Sequence, residues 1–201
     1  DMRIRESVVV GGFKADRLAL PADCRLVLNK QYESNNILHS LACARPEMSG
    51  ADQIIVSYSD IIFRQSVVEQ LLEVDGEDIV IVVDQAWEKR YDGRTLHPLS
   101  QGEAAKFDDG RKLQKTGKDL LTPERDSQRW GEYIGMLRLS RLGNKLFWDI
   151  FDEIDARLGP EDRFQQSAAW RMAYLTDLLQ ELVDRGIGIH CTLIQGGWME
   201  I

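Results

Sequence analysis

The sequence predicts an α/β protein: a three-layer, Rossmann-like domain with a central mixed, mostly parallel sheet and a small antiparallel insertion. Two observations lead there. Short β-branched runs alternate with amphipathic stretches of helical length, and the run Ile79-Val80-Ile81-Val82-Val83 is apolar at every position between Asp78 and Asp84. A strand without polar alternation is buried on both faces, which requires helices on both sides of a largely parallel sheet. A third observation adds the insertion: from Ala86 to Arg129 the pattern loosens into charged, glycine-containing segments around Asp108-Asp109-Gly110, a hairpin turn signal.

In order along the chain, Ser7-Val8-Val9-Val10 reads as a strand broken at Gly11-Gly12, with a short polar helix from Phe13 to Leu20. Arg25 to Asn29 is a second strand. Asn36 to Ala44 is a helix, because Ile37, Leu38, Leu41 and Ala44 recur at helical spacing. Gln53 to Tyr58 is a buried strand ending at Ser59-Asp60, Val67 to Leu72 a helix, and Asp78 to Asp84 the strongest strand. Ala104 to Phe107 and Arg111 to Thr116 form the hairpin. Trp130 to Leu139 returns as a strand, Gly143 to Leu158 and Trp170 to Arg185 are helices stopped by glycine, and Ile189 to Ile194 and Trp198 to Ile201 close the sheet. No repeat or linker divides residues 1–201, so a single domain is expected.

Composition narrows the function classes. A chain of 201 residues buries a sizeable core without staples, and the net charge of −8 is spread along it. No basic stripe of the kind that grips a nucleic-acid backbone is present, and no apolar run approaches the ~18 residues of a membrane span. Cys24, Cys43 and Cys191 stand far apart with no zinc spacing and read as free thiols of a reducing compartment. The opening residues show no leader composition, so a cytoplasmic location is expected.

In an open sheet, ligands bind beyond the carboxyl ends of the parallel strands. Asp60 and Asp84 occupy that position. Asp60 suits a Mg²⁺ ligand, since magnesium takes one or two protein carboxylates and fills its other places with water and phosphate oxygens; the alternative is that Asp60 caps the helix after Phe63. Asp84 with Trp87 joins an anion to a large aromatic face in one loop, a pairing suited to a cation and worth ~0.5–2 kcal/mol from the ring when water is excluded. Tyr91 and Tyr133 would extend the aromatic wall. The alternative is a turn aspartate beside a core tryptophan. Arg94, Lys106, Lys115 and Lys118 are candidates for phosphate contact or plain surface charges, and Thr116-Gly117 supplies a turn that would aim Lys118. His39, His97 and His190 have no nucleophile partner and no metal spacing.

Four segments, Tyr32-Glu33-Ser34-Asn35-Asn36, Ser57-Tyr58-Ser59-Asp60-Ile61-Ile62-Phe63, Val82-Val83-Asp84-Gln85-Ala86-Trp87 and Gly196-Gly197-Trp198-Met199-Glu200-Ile201, taken in this order resemble the nucleotidyltransferases of the cytidylyltransferase branch that act on phosphocholine and 2-aminoethylphosphonate. The resemblance spans nearly the whole chain. It implies attack of a phosphate or phosphonate oxygen on the α-phosphorus of CTP, release of pyrophosphate, and Mg²⁺ bridging the triphosphate. It further implies Asp60 as the first metal-binding and catalytic aspartate, Asn36 and Ser40 in the segment meeting the nucleoside, Asp84 and Trp87 facing the amine end of the acceptor, and Lys118 on its phosphoryl oxygens.

Two departures accompany the resemblance. The family opens with a strand and a glycine-rich, arginine-containing loop that wraps the triphosphate, and its closing motif runs on into a second metal-binding aspartate. Neither is found within 1–201, so the expectation is a piece of a longer enzyme or of a fusion with another catalytic domain, inactive alone; a homodimer is compatible with either. A sugar-1-phosphate nucleotidyltransferase and a non-catalytic domain of the same fold are the rival readings.

Overall fold

The β-branched runs fold as strands and the amphipathic stretches as helices in a computed structural model that describes residues 4–91, 98–120 and 129–201. In chain order, β1 (Ser7–Gly11) and β2 (Cys24–Leu28) are followed by α1 (Ile37–Cys43), β3 (Gln53–Ser57), β4 (Ile61–Phe63), α2 (Gln65–Leu72) and β5 (Ile79–Asp84). Next come the short α3 (Glu88–Tyr91), the hairpin strands β6 (Ala104–Phe107) and β7 (Leu113–Gly117), and the long β8 (Trp130–Ser140). Then follow α4 (Arg141–Arg157), α5 (Leu175–Asp184), β9 (His190–Ile194) and β10 (Trp198–Glu200).

Two helices are shorter than their sequence pattern. The polar stretch after Gly12 gives one 3-10 turn, Ala15–Arg17, entered through Lys14 in the left-handed region at φ 49°. The stretch from Trp170 divides into a 3-10 turn, Trp170–Met172, and α5. Asp177 explains the division: its carboxylate accepts a hydrogen bond from the Tyr174 N–H at 2.8 Å, which starts a fresh helix there.

The central sheet runs β7-β6-β8-β5-β9, with β3 also paired to β8. It is mixed. β3, β5, β6 and β9 share one direction, and the reversed β8 pairs antiparallel with β3, β5 and β6. The hairpin extends the edge of this sheet through β6. Two further pairs stand apart, β1 parallel to β2 and β4 antiparallel to β10.

The edge of β8 opposite β5 is shared end to end. β3 lies against Met136–Ser140 and β6 against Trp130–Glu132. A seam is left at residues 133–135, bridged by Tyr58 N donating to Gly135 O at 2.9 Å and Tyr133 N donating to Glu103 O at 2.6 Å. Gly135 sits at φ +77°, and a Cβ there would lie 2.3 Å from the Tyr58 ring. Glycine is therefore required at this bulge both for backbone conformation and for room.

Every residue of β5 is buried, and its side chains alternate between two cores. Ile79, Ile81 and Val83 pack with Phe147 and Phe151 of α4 and Leu178 and Leu182 of α5. Val80 and Val82 pack with Val67 and Leu71 of α2. The three layers follow from this alternation, each fully buried aliphatic side chain contributing about 1.5–3 kcal/mol. Among the described residues no helix is long and apolar enough to cross a membrane. Cys24, Cys43 and Cys191 form no disulfide.

Candidate active site

At the carboxyl ends of β3 and β5 the seam in β8 opens onto a cavity of about 310 Å³. Its walls come from separate stretches of chain: Asn36 before α1, Tyr58 to Ile61 between β3 and β4, Glu103 before β6, Lys118 after β7, Glu132 and Tyr133 on β8, Tyr174 before α5, and Trp198 and Glu200 on β10. The sequence-derived candidates Asn36, Asp60, Lys118 and Tyr133 thus meet in one place.

Asp60 is exposed at the mouth, and its backbone oxygen accepts from Ile201 N at 2.8 Å. It does not cap a helix: β4 intervenes, and the N-cap of α2 is Arg64. Asn36 is itself the N-cap of α1, accepting from Ile37 N at 2.9 Å and donating through Nδ2 to Met172 O at 3.1 Å. Lys118 places its Nζ 4.0 Å from the centroid of the Tyr174 ring, a cation–π contact that holds the ammonium against the wall.

The inner wall is a buried polar network. Glu103 is 8% exposed and accepts from Tyr58 Oη at 2.8 Å and Thr176 Oγ1 at 3.1 Å. Burial raises its carboxyl above the ordinary value, against the lowering effect of the Tyr58 hydroxyl and the nearby Lys118 charge. Burial, followed by the negative field of Glu103, raises the phenols of both Tyr58 and Tyr133 well above theirs. The two rings meet edge to face at 6.1 Å. Tyr133 is 2% exposed, and its Oη has no hydrogen-bond partner among the described residues. A buried hydroxyl left unpaired on a cavity wall is a donor for whatever fills the cavity. On the same wall, Tyr91 Oη donates to Glu132 Oε1.

Three candidates take other places. The Asp84 carboxylate is fully buried, with Oδ1 accepting from Ala86 N at 2.9 Å and Gly196 N at 2.8 Å and Oδ2 accepting from Trp198 Nε1 at 2.8 Å. It fastens the end of β5 to the turn before β10, and the indole it holds lines the cavity. Trp87 is 1% exposed and packs with Ala104 and Trp130, away from the cavity lining. Asp84 thus stands at a turn and Trp87 in a core cluster, both apart from the cavity lining. Ser40 accepts from Asn29 Nδ2 at 2.9 Å, in a network with Asn35 that lies outside the lining. Arg94 and His97 lie outside the described residues. Lys106 stands over Trp130 at 5.8 Å, and Lys115 is exposed on β7.

Residues the sequence did not single out carry much of the site: Glu103, Glu132, Tyr174, Trp198 and Glu200. A faint signal existed for Trp198 and Glu200, which stand in the closing segment quoted above. Glu103 gave none, because its partners Tyr58 and Thr176 are 45 and 73 residues away. A second cavity of about 440 Å³ lies beside His39, Asp155 and Trp170, away from the strand ends. Three of its lining residues are bonded to one another: Trp170 Nε1 donates to Asp155 at 2.7 Å, and the His39 ring bonds Trp170 O at 2.9 Å. The smaller cavity is the better candidate on chemical grounds.

The three-layer sheet thus brings an exposed aspartate and a lysine to one cavity at the strand ends. The chain belongs to the MobA-like NTP transferase domain family, whose profile matches residues 1–187. It is 27% identical over 208 residues to the CTP:phosphoglutamine cytidylyltransferase of Campylobacter jejuni subsp. jejuni, a match covering 98% of this chain and 78% of that protein. The inositol-1-phosphate CTP transferase from T. maritima superposes with a TM-score of 0.66 at 14% identity, covering 98% of this chain and 70% of that one. The CTP:phosphocholine cytidylyltransferase from Streptococcus pneumoniae superposes with a TM-score of 0.65 at 13% identity, covering 98% and 73%. At such identities the superpositions establish the fold.

Proposed function

We propose that the chain carries the acceptor side of a cytidylyltransferase, in which a phosphate or phosphonate oxygen of a small ammonium-bearing acceptor attacks the α-phosphorus of CTP. The new P–O bond forms as the bond to pyrophosphate breaks. CTP as donor is supported by the three relatives, whose names all specify it. The observation that carries the acceptor class is the company of carboxylates and aromatic rings in the cavity: Asp60 and Glu103 stand among Tyr58, Tyr133, Tyr174 and Trp198. Such a wall favours a cation, and aromatic faces add to that preference. Phosphocholine, 2-aminoethylphosphonate and phosphoglutamine share that cationic end.

In this reading Lys118 neutralises the acceptor's phosphoryl oxygens, Tyr133 donates its unpaired hydroxyl, and Glu103 faces the ammonium. Asn36 lies where α1 begins, beside the space a nucleoside would take. Among the described residues no group of three or more carboxylate, imidazole or thiol ligands forms a ready cage. Mg²⁺ requires no such cage: it would bind through Asp60 and fill its shell from water and phosphate. Bound there, the ion would spread the charge of the triphosphate.

The test is pyrophosphate release by the protein, at the full length in which the cell makes it, with CTP and Mg²⁺ and with phosphocholine, 2-aminoethylphosphonate, phosphoglutamine or glucose 1-phosphate in turn. Release with an ammonium-bearing acceptor and not with the sugar phosphate is expected. Equal or greater release with the sugar phosphate, or none with any of the three ammonium-bearing acceptors, refutes the acceptor class.

A further inference from the structure

Lys118 is held by something no motif announces. Its backbone N–H donates to Gln166 Oε1 at 2.8 Å, and its carbonyl accepts from Gln166 Nε2 at 3.2 Å, so one side-chain amide reads both polar atoms of the residue. The preceding Gly117 has φ +143°, and a Cβ there would lie 2.2 Å from Gln166 Oε1. The loop after β7 is thus pressed against that amide. Gln166 is anchored in turn, its N–H donating to Asp177 Oδ1 at 3.0 Å. The other oxygen of Asp177 accepts from Ser167 Oγ at 2.9 Å and from Tyr174 N at 2.8 Å. Asp177 is 3% exposed, so one buried carboxylate fixes both the amide that holds the Lys118 backbone and the residue whose ring meets the Lys118 ammonium.

From this geometry we infer that Gln166 is a positioning residue: by clamping the Lys118 backbone it keeps the ammonium at the Tyr174 wall of the cavity, presented to the acceptor's phosphoryl group. The inference rests on the reading of Lys118 given above. A free lysine on a loop would give up side-chain entropy each time it met a substrate; a clamped backbone and a stacked ammonium give it up once, on folding. Because Gln166 is itself exposed, its substitution leaves the core intact.

The experiment combines kinetics with a spectroscopic reporter. Lysines are ¹³C-dimethylated, and the Lys118 resonance, identified by its loss in Lys118→Arg, is read for the upfield displacement that the Tyr174 ring imposes. Gln166→Ala should move that resonance toward the exposed lysines. It should also lower kcat/KM for the acceptor roughly 10- to 100-fold, the loss expected when a reacting partner is misplaced by about an ångström. The KM for CTP and the unfolding midpoint should stay put. Adding Gln166→Ala to Lys118→Ala should cost nothing further, since the first acts through the second. An unmoved resonance, or additive kinetic losses, overturns the inference. Absence of turnover in the wild-type protein overturns the acceptor reading instead, and the resonance still supports or overturns the clamp.

Discussion

Replacing Asp84 separates a structural carboxylate from a substrate-binding one. Three donors converge on it, Ala86 N, Gly196 N and Trp198 Nε1, all within 2.9 Å, and the side chain is fully buried. Asp84→Ala leaves these half-buried donors without their acceptor. Each unpaired buried donor costs about 1–3 kcal/mol, and with partial relaxation the sum is expected to be about 3–5 kcal/mol. For a chain of 201 residues each kcal/mol lowers Tm by about 2–4 °C, so the fall should be roughly 6–20 °C. Asp84→Asn keeps one oxygen acceptor and should lose about half as much. Urea unfolding gives the answer: the midpoint should drop with the slope unchanged. Loss of less than about 1 kcal/mol, within the range of an ordinary surface substitution, together with a raised acceptor KM, would return Asp84 to the role of a ligand group.

Three further outcomes are expected. Asp60→Ala, at an exposed position, should leave stability within about 0.5 kcal/mol while lowering kcat by about 100-fold or more; a fully active variant removes Asp60 from the chemistry. Gly135→Ala forces a Cβ to within 2.3 Å of the Tyr58 ring at φ +77°, and a cost of about 2–3 kcal/mol should appear in thermal unfolding, with an unchanged Tm as the refuting result. Burial raises the Glu103 carboxyl above 4.5, so the folded chain holds that proton more tightly than the unfolded one. The resulting stability is complete below 4.5 and is lost as pH climbs through the raised value. Glu103→Gln lacks this dependence and should gain on the wild type as pH rises from acid to neutral; a pH-independent difference in urea midpoints contradicts the assignment.

The elements were legible in the sequence wherever one periodicity ruled a long stretch. β5 and α4 fall within two residues of their expected ends, because an unbroken apolar run and an amphipathic repeat each admit one reading. The place of Asp60 was legible as the first carboxylate beyond β3, although that strand, expected to be buried, is only half-buried because it pairs with β8 alone. Asp84 occupied an equivalent place yet turned inward, because its three donors include two from the Gly196–Trp198 turn, more than a hundred residues on. The aromatic partner of this carboxylate is accordingly Trp198 and not Trp87. Glu103 and Gln166 were invisible for the same physical cause: their significance lies wholly in contacts across the fold, and a lone glutamate or glutamine carries no periodicity.

The shared edge of β8 has an evolutionary corollary. The aspartate that would meet the metal follows β3, whereas Glu103 and Lys118 arrive on the β6–β7 hairpin, which touches the long strand over only three register positions. On the proposed reading, two of the groups that meet the acceptor thus arrive on a hairpin that could be lengthened or resequenced, while Tyr133 stays on β8 and Asp60 beyond β3. Divergence among relatives that handle choline, inositol or amino-acid phosphates would then concentrate in that cassette, leaving the strands around β5 as common chassis.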